Sequence, residues 1–140
     1  PDARVLYASF SPQEIMLGST IKVEIRVRNV GDTVLRTQGP DPGYVYDSFD
    51  NFGSIEDGKY IEQPGYWRVG ADWSGAPSSA GARYPYRWGF GHDLQPGEEV
   101  LVVGYIRILQ PAWMWFHAGL IQEGIRYFVD GVGRTLIKVN

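Results

Sequence analysis

The sequence predicts an all-β domain, a sandwich of about eight or nine short strands with one long loop-rich insertion. Three observations point there. Over residues 20–30, Ile21, Val23, Ile25 and Val27 interleave with Lys22, Glu24, Arg26 and Arg28, the period-two pattern of a strand with one buried and one wet face. Glycine (18 residues) and proline (9 residues) recur at short intervals, the punctuation expected of tight turns between strands. Nowhere does a run of roughly ten residues show a helical hydrophobic period with capping residues.

The elements follow in order. Residues 5–10 read as a first strand, and Leu17-Gly18-Ser19 turns the chain into the alternating strand. Asn29-Val30-Gly31-Asp32 supplies the next turn, because Asn, Gly and Asp tolerate left-handed backbone. Residues 34–37 restart as a short strand. Gly39-Pro40-Asp41-Pro42-Gly43 cannot continue a ladder, since two prolines remove donors and restrict φ. From there to residue 83 the chain reads as an insertion rich in rings and acids, with one strand at residues 67–73 and a small, polar loop at residues 74–82. Residues 84–90 are aromatic and strand-like, and Leu94-Gln95-Pro96-Gly97-Glu98-Glu99 is a turn. Residues 100–109 and 113–121 are two β-rich runs, and the aromatic density of the second predicts burial on both faces, with Trp113, Trp115 and Phe116 in the main core. Turns at Glu123-Gly124 and Asp130-Gly131 then separate two closing strands, residues 125–129 and 136–139.

At 140 residues the chain fits one domain, residues 1–140, long enough to bury roughly two thirds of its unfolded surface. Hydrophobic residues at 44% and charged residues at 21% exclude a disordered chain,. The net charge of −3 offers no general attraction to phosphate backbones, so nucleic acid is not an expected partner,. No apolar run approaches the ~20 residues of a membrane-spanning helix, so no membrane insertion is expected. The absence of cysteine removes disulfides and thiolate metal ligands and leaves the redox compartment open,. The chain opens on Pro1-Asp2 with no signal-peptide pattern and ends on a strand-like run, which reads as a segment of a longer protein in preference to a mature, processed product.

Four stretches together resemble a known family. They are Val27-Arg28-Asn29-Val30-Gly31, Leu94-Gln95-Pro96-Gly97-Glu98-Glu99-Val100, Gly119-Leu120-Ile121 and Ile137-Lys138-Val139. This layout is similar to immunoglobulin-like accessory modules, including the CARDB-like adhesion-related domains of bacterial surface proteins. The Ig-like module of selective-autophagy cargo receptors has a similar Asn-x-Gly and Pro-Gly layout. The resemblance covers both ends of the chain and leaves out residues 38–83. It implies an immunoglobulin-like β-sandwich, a non-catalytic role in a larger protein, and an extracellular or cell-surface setting.

Chemistry is thin. His92 sits in a turn and His117 within a strand, and two histidines without cysteine fall short of a zinc ligand set,. There is no nucleophile elbow and no phosphate-binding loop, so no catalytic residue, metal or cofactor is expected. Asp41, Asp47, Asp50, Glu56 and Asp57 fall within 17 positions. They read first as solvated loop acids, then as a calcium site, and last as a carboxylate pair for glycoside hydrolysis.

Aromatic residues are the remaining candidates. Tyr44, Tyr46, Trp67, Trp73, Tyr86 and Trp88 lie in or just after the insertion. Exposed, they would form a stacking platform for a sugar ring; buried, they would pin the insertion to the sandwich with polar tips left wet. Two readings follow. In one, the domain is an accessory or interaction module whose partners are other domains of its parent or a separate protein. In the alternative, it binds a glycan through these rings. Exposure of Trp67, Trp73 and Trp88 discriminates between them.

Overall fold

Strand β3 (Thr20–Asn29) shows how the sequence builds the frame. Ile21, Val23, Ile25 and Val27 are buried, while Lys22, Glu24 and Arg26 are half-covered on the other face and Arg28 is exposed. The computed structural model describes residues 1–73 and 83–140, and the loop expected at residues 74–82 lies outside them. Among the described residues the strands are β1 (Ala3–Ser11), β2 (Glu14–Ile15), β3 (Thr20–Asn29), β4 (Val45–Asp47), β5 (Trp67–Trp73), β6 (Tyr86–Trp88), β7 (Glu99–Arg107), β8 (Ala112–Gln122) and β9 (Arg126–Val139). They form a four-stranded sheet, β1-β3-β7-β4, and a five-stranded sheet, β2-β9-β8-β5-β6. Most pairs are antiparallel; β4 runs parallel to β7 and β2 parallel to β9. The inner faces meet in one hydrophobic cluster that joins Ile21, Ile25, Val102 and Ile106 of one sheet to Val69, Ala71, Met114, Phe116 and Leu120 of the other. This is the immunoglobulin-like sandwich architecture expected from the sequence.

Three expectations about elements are corrected. Residues 34–37 form no strand: Leu35 bridges Leu94 while Thr37 bridges Trp67, and two different partners cannot build a ladder. Residues 38–83 are not an insertion laid on a finished frame. They supply β4 to one sheet and β5 to the other, and they place Tyr46, Phe52, Ile55 and Trp67 in the core. A strand as short as β4 has too few residues for its alternation to stand out. Asp130-Gly131 is no turn but lies within the single 14-residue strand β9. Gly131 and Gly133 take positive φ there, and the β8–β9 register shifts nearby, so the glycines absorb bulges that bend the strand without ending it.

Glycine permits close packing at two sites, one between the sheets and one on the outer face of the five-stranded sheet. Gly104 of β7 faces Trp88 so closely that an added Cβ would lie 2.1 Å from the indole. Gly70 of β5 and Gly119 of β8 are register partners. The Tyr84 side chain lies over both: a Cβ added at Gly70 would lie 2.7 Å from its Cβ, and one added at Gly119 would lie 2.6 Å from its ring.

Candidate binding surface

Five of the six aromatic candidates lie inside the molecule. Trp67, Trp73 and Trp88 are 2%, 6% and 0% exposed, and Tyr46 and Tyr86 are fully buried. Only Tyr44 is half-buried, and it packs on the core. Position in the strands decides this: Trp67 and Trp73 share the inner face of β5 with Val69 and Ala71, and Tyr86 and Trp88 are the inward residues of β6.

The polar tips of four of them are bonded inside the molecule. Trp88 Nε1 donates to the Tyr44 carbonyl at 3.0 Å, Tyr46 Oη to the Arg87 carbonyl at 2.7 Å, and Trp73 Nε1 to Tyr86 Oη at 3.1 Å. Tyr86 Oη in turn donates to the Ser48 carbonyl at 2.6 Å. Tyr46 meets Tyr44, Tyr86 and Trp88 edge-on, with centroids 4.9–5.5 Å apart. A sugar platform built from these rings is therefore corrected to an internal cluster that ties residues 44–48 to β6. Burial pushes the Tyr46 and Tyr86 hydroxyls well above their ordinary range.

The opposite face of β5 and β6 is also covered. Arg68, Arg87 and Glu123 are all buried there. Both guanidiniums pair with the single carboxylate, Arg68 to Oε2 and Arg87 to Oε1. Arg68 Nη1 also donates to the Gly39 and Tyr60 carbonyls at 3.0 and 2.9 Å, and Arg87 Nε donates to the Tyr84 carbonyl at 2.9 Å. The Phe52 ring lies 4.8 Å from Arg68 and 4.1 Å from Arg87, within cation–π range of both,. The triad thus anchors residues 39–60 to the outer side of the five-stranded sheet. Beside it, a cavity of ≈ 560 Å³ is lined by residues that include Arg87, Glu123, Gln122, Arg126 and Tyr127. Burial lowers the Arg68 pKa, with Glu123 opposing the shift.

Among the described residues, the part of that outer face around Trp113 and Trp115 is open. Trp113 and Trp115, expected in the core, are 63% and 49% exposed, whereas Met114 and Phe116 between and after them are buried. Strand alternation places both indoles on the outward side of β8. On the neighbouring strand β9, Lys138 stands in register with Trp113 and Leu136 with Trp115. Lys138 Nζ lies 5.4 Å from the Trp113 ring centroid, and the Arg134 guanidinium lies 5.5 Å from that of Trp115.

Next to Trp115 is a groove of ≈ 440 Å³ lined by Asp72, Trp73, Arg83, His117, Asp130, Gly131 and Arg134 as well. Arg83 pairs with Asp130 at 2.7 Å, and Tyr84 Oη donates to Asp130. That hydrogen bond holds the Asp130 carboxyl below its ordinary range, helped by Arg83. Asp72 accepts from the Trp73 and Tyr84 amides at 2.8 and 2.9 Å.

The other sequence candidates stay apart. Asp41, Glu56 and Asp57 are exposed, and Asp47 pairs with Arg107 at 2.9 Å. His92 is exposed in its turn, and His117 is half-buried edge-on to Tyr84. Among the described residues no three His, Asp or Glu side chains converge as metal ligands, and no helix is long and apolar enough to cross a membrane. Sequence reasoning missed Trp113 and Trp115 as surface residues. The signal was present: period two over residues 113–116 puts both indoles on one face, as in β3.

Two packed sheets with this topology, and rings and ion pairs serving structure inside them, define an immunoglobulin-like β-sandwich. More particularly, the fold is CARDB-like. The chain resembles the crystal structure of the CARDB domain of a Pyrococcus furiosus protein, solved in complex with di-metal ions, with a TM-score of 0.52 and 13% identity over 100% of this chain and 89% of that one. A solution structure of the same Pyrococcus furiosus domain superimposes with a TM-score of 0.51 and 13% identity over 98% and 94% of the two chains. No family model matches the sequence, and no curated protein matches it.

Proposed function

We propose that this domain is a non-catalytic accessory module of a larger, extracytoplasmic protein, and that it docks other material through the open outer face of the five-stranded sheet around Trp113 and Trp115. One observation carries the reading. The frame buries Trp67, Trp73 and Trp88 yet leaves two indoles two residues apart facing solvent. An exposed indole forfeits burial, and large exposed aromatics are enriched where partners bind. The likeness in fold to CARDB domains supports the accessory role. The fixed hydrogen bonds of Asp72 and Asp130 support a binding rather than a catalytic use of the groove.

The test separates stability from binding. The W113A/W115A double variant is expected to unfold within about 1 kcal/mol of the native chain, as surface substitutions do. It should also lose association with the parent's neighbouring domains or the cell-surface material that the native chain retains. A double variant that binds as well as the native chain, measured by sedimentation or biolayer interferometry, overturns the reading.

A further inference from the structure

Each exposed indole of the open face carries a cation: Lys138 at Trp113 and Arg134 at Trp115. We infer that this surface takes an acidic polysaccharide, a glycan with carboxylates along its chain; the inference rests on the docking role proposed above. The geometry is a repeat. Trp113 and Trp115 are two residues apart on a strand, about 6.4–6.8 Å along it, and each presents one ring beside one positive charge. A repeating ligand that offers an apolar face and an anion per unit matches such a row. A pyranose does so when its C–H face stacks on an indole and its carboxylate reaches the neighbouring ammonium or guanidinium.

Charge supports the choice. The chain carries −3 overall, so Lys138 and Arg134 beside the two exposed indoles are local positive charge on a net acidic molecule. Arg134 makes no ion pair among the described residues, and Lys138 meets only Glu14, at 3.9 Å. Both are thus available to an incoming anion. The groove beyond Trp115 continues the surface with Asp72, Arg83, His117 and Asp130, planar polar groups suited to hydroxyls. Topology argues against an extended peptide. β8 is bonded to β5 on one side and β9 on the other, so it has no free edge for an added strand, and recognition must come from side chains facing outward.

Affinity electrophoresis of the intact chain in gels containing polygalacturonate or alginate tests the inference, with hydroxyethylcellulose and single-stranded DNA as comparison matrices. The native chain should be retarded by an acidic polysaccharide, less so as salt is raised, and not by the neutral polymer or by DNA. W115A and R134Q, both at exposed positions and each checked by thermal unfolding, should each weaken the retardation by about tenfold or more. Equal retardation by hydroxyethylcellulose removes the role of the cations and overturns the assignment, as does preference for DNA. No retardation by either acidic polymer also overturns it. In that case W113A/W115A decides the broader reading: docking stands if the double variant still loses a protein partner that the native chain binds, and falls if it does not.

Discussion

Glu123 holds two buried guanidiniums, and the cost of separating them is among the largest effects expected from one side chain here. Glu123→Gln keeps the shape but leaves Arg68 and Arg87 buried with no counter-charge, which should destabilise the fold by about 3–5 kcal/mol; urea unfolding checks this. The half-covered surface pair Lys22–Glu24, 3.3 Å apart on β3, should contribute no more than about 1 kcal/mol when broken. Tryptophans divide in the same way. Trp88→Ala removes a fully buried indole and should cost about 3–5 kcal/mol, far more than Trp113→Ala. Composition shows five tryptophans and cannot separate these two kinds, because burial belongs to the side of the strand a residue occupies. Nor does any spacing mark Arg68, Arg87 and Glu123 as a unit, since the three come from different strands and the turn after β8.

At the scale of elements, β7 and β6 belong to different sheets and meet where Gly104 faces Trp88. Gly104→Ala would drive a methyl into the indole and should cost about 1–3 kcal/mol by overpacking. Pairing it with Trp88→Leu should recover part of that loss, since the two side chains occupy one space; thermal unfolding of the single and double variants reads the coupling. β3 was legible residue by residue because its alternation is strict. The run at residues 113–121 was legible as a strand but not in its facing: dense aromatics suggested two covered faces, while alternation alone pointed to one. β9 was read as two strands because Asp130-Gly131 looks like a turn. In the structure its partner β8 continues past that point, and pairing carries the chain through the bulge.

For the molecule as a whole, three tyrosines tie stability to pH. Burial raises the hydroxyl pKa of Tyr46, Tyr84 and Tyr86 above the ordinary 10.0. A group whose folded pKa is raised contributes stability that is complete below its unfolded pKa and is lost as pH climbs toward the folded value. The unfolding free energy should therefore fall as pH rises above 10.0, and tyrosinate absorbance from these three residues should appear together with loss of β-sheet circular dichroism. Their titration near 10.0 in a chain that remains folded would contradict their placement.

The all-β class, the positions of most turns and the inward face of β3 were determined by the sequence alone, because alternation and turn chemistry act over a few neighbouring residues. Which sheet face is covered was decided only in the tertiary structure. Phe52 and Tyr84, from segments far along the chain, cover the half of the outer face that holds Arg68, Gly70 and Gly119. Among the described residues Trp113 and Trp115 on the other half stay exposed. Period two states which residues share a side. Whether that side meets protein or water depends on contacts that form only when distant segments come together.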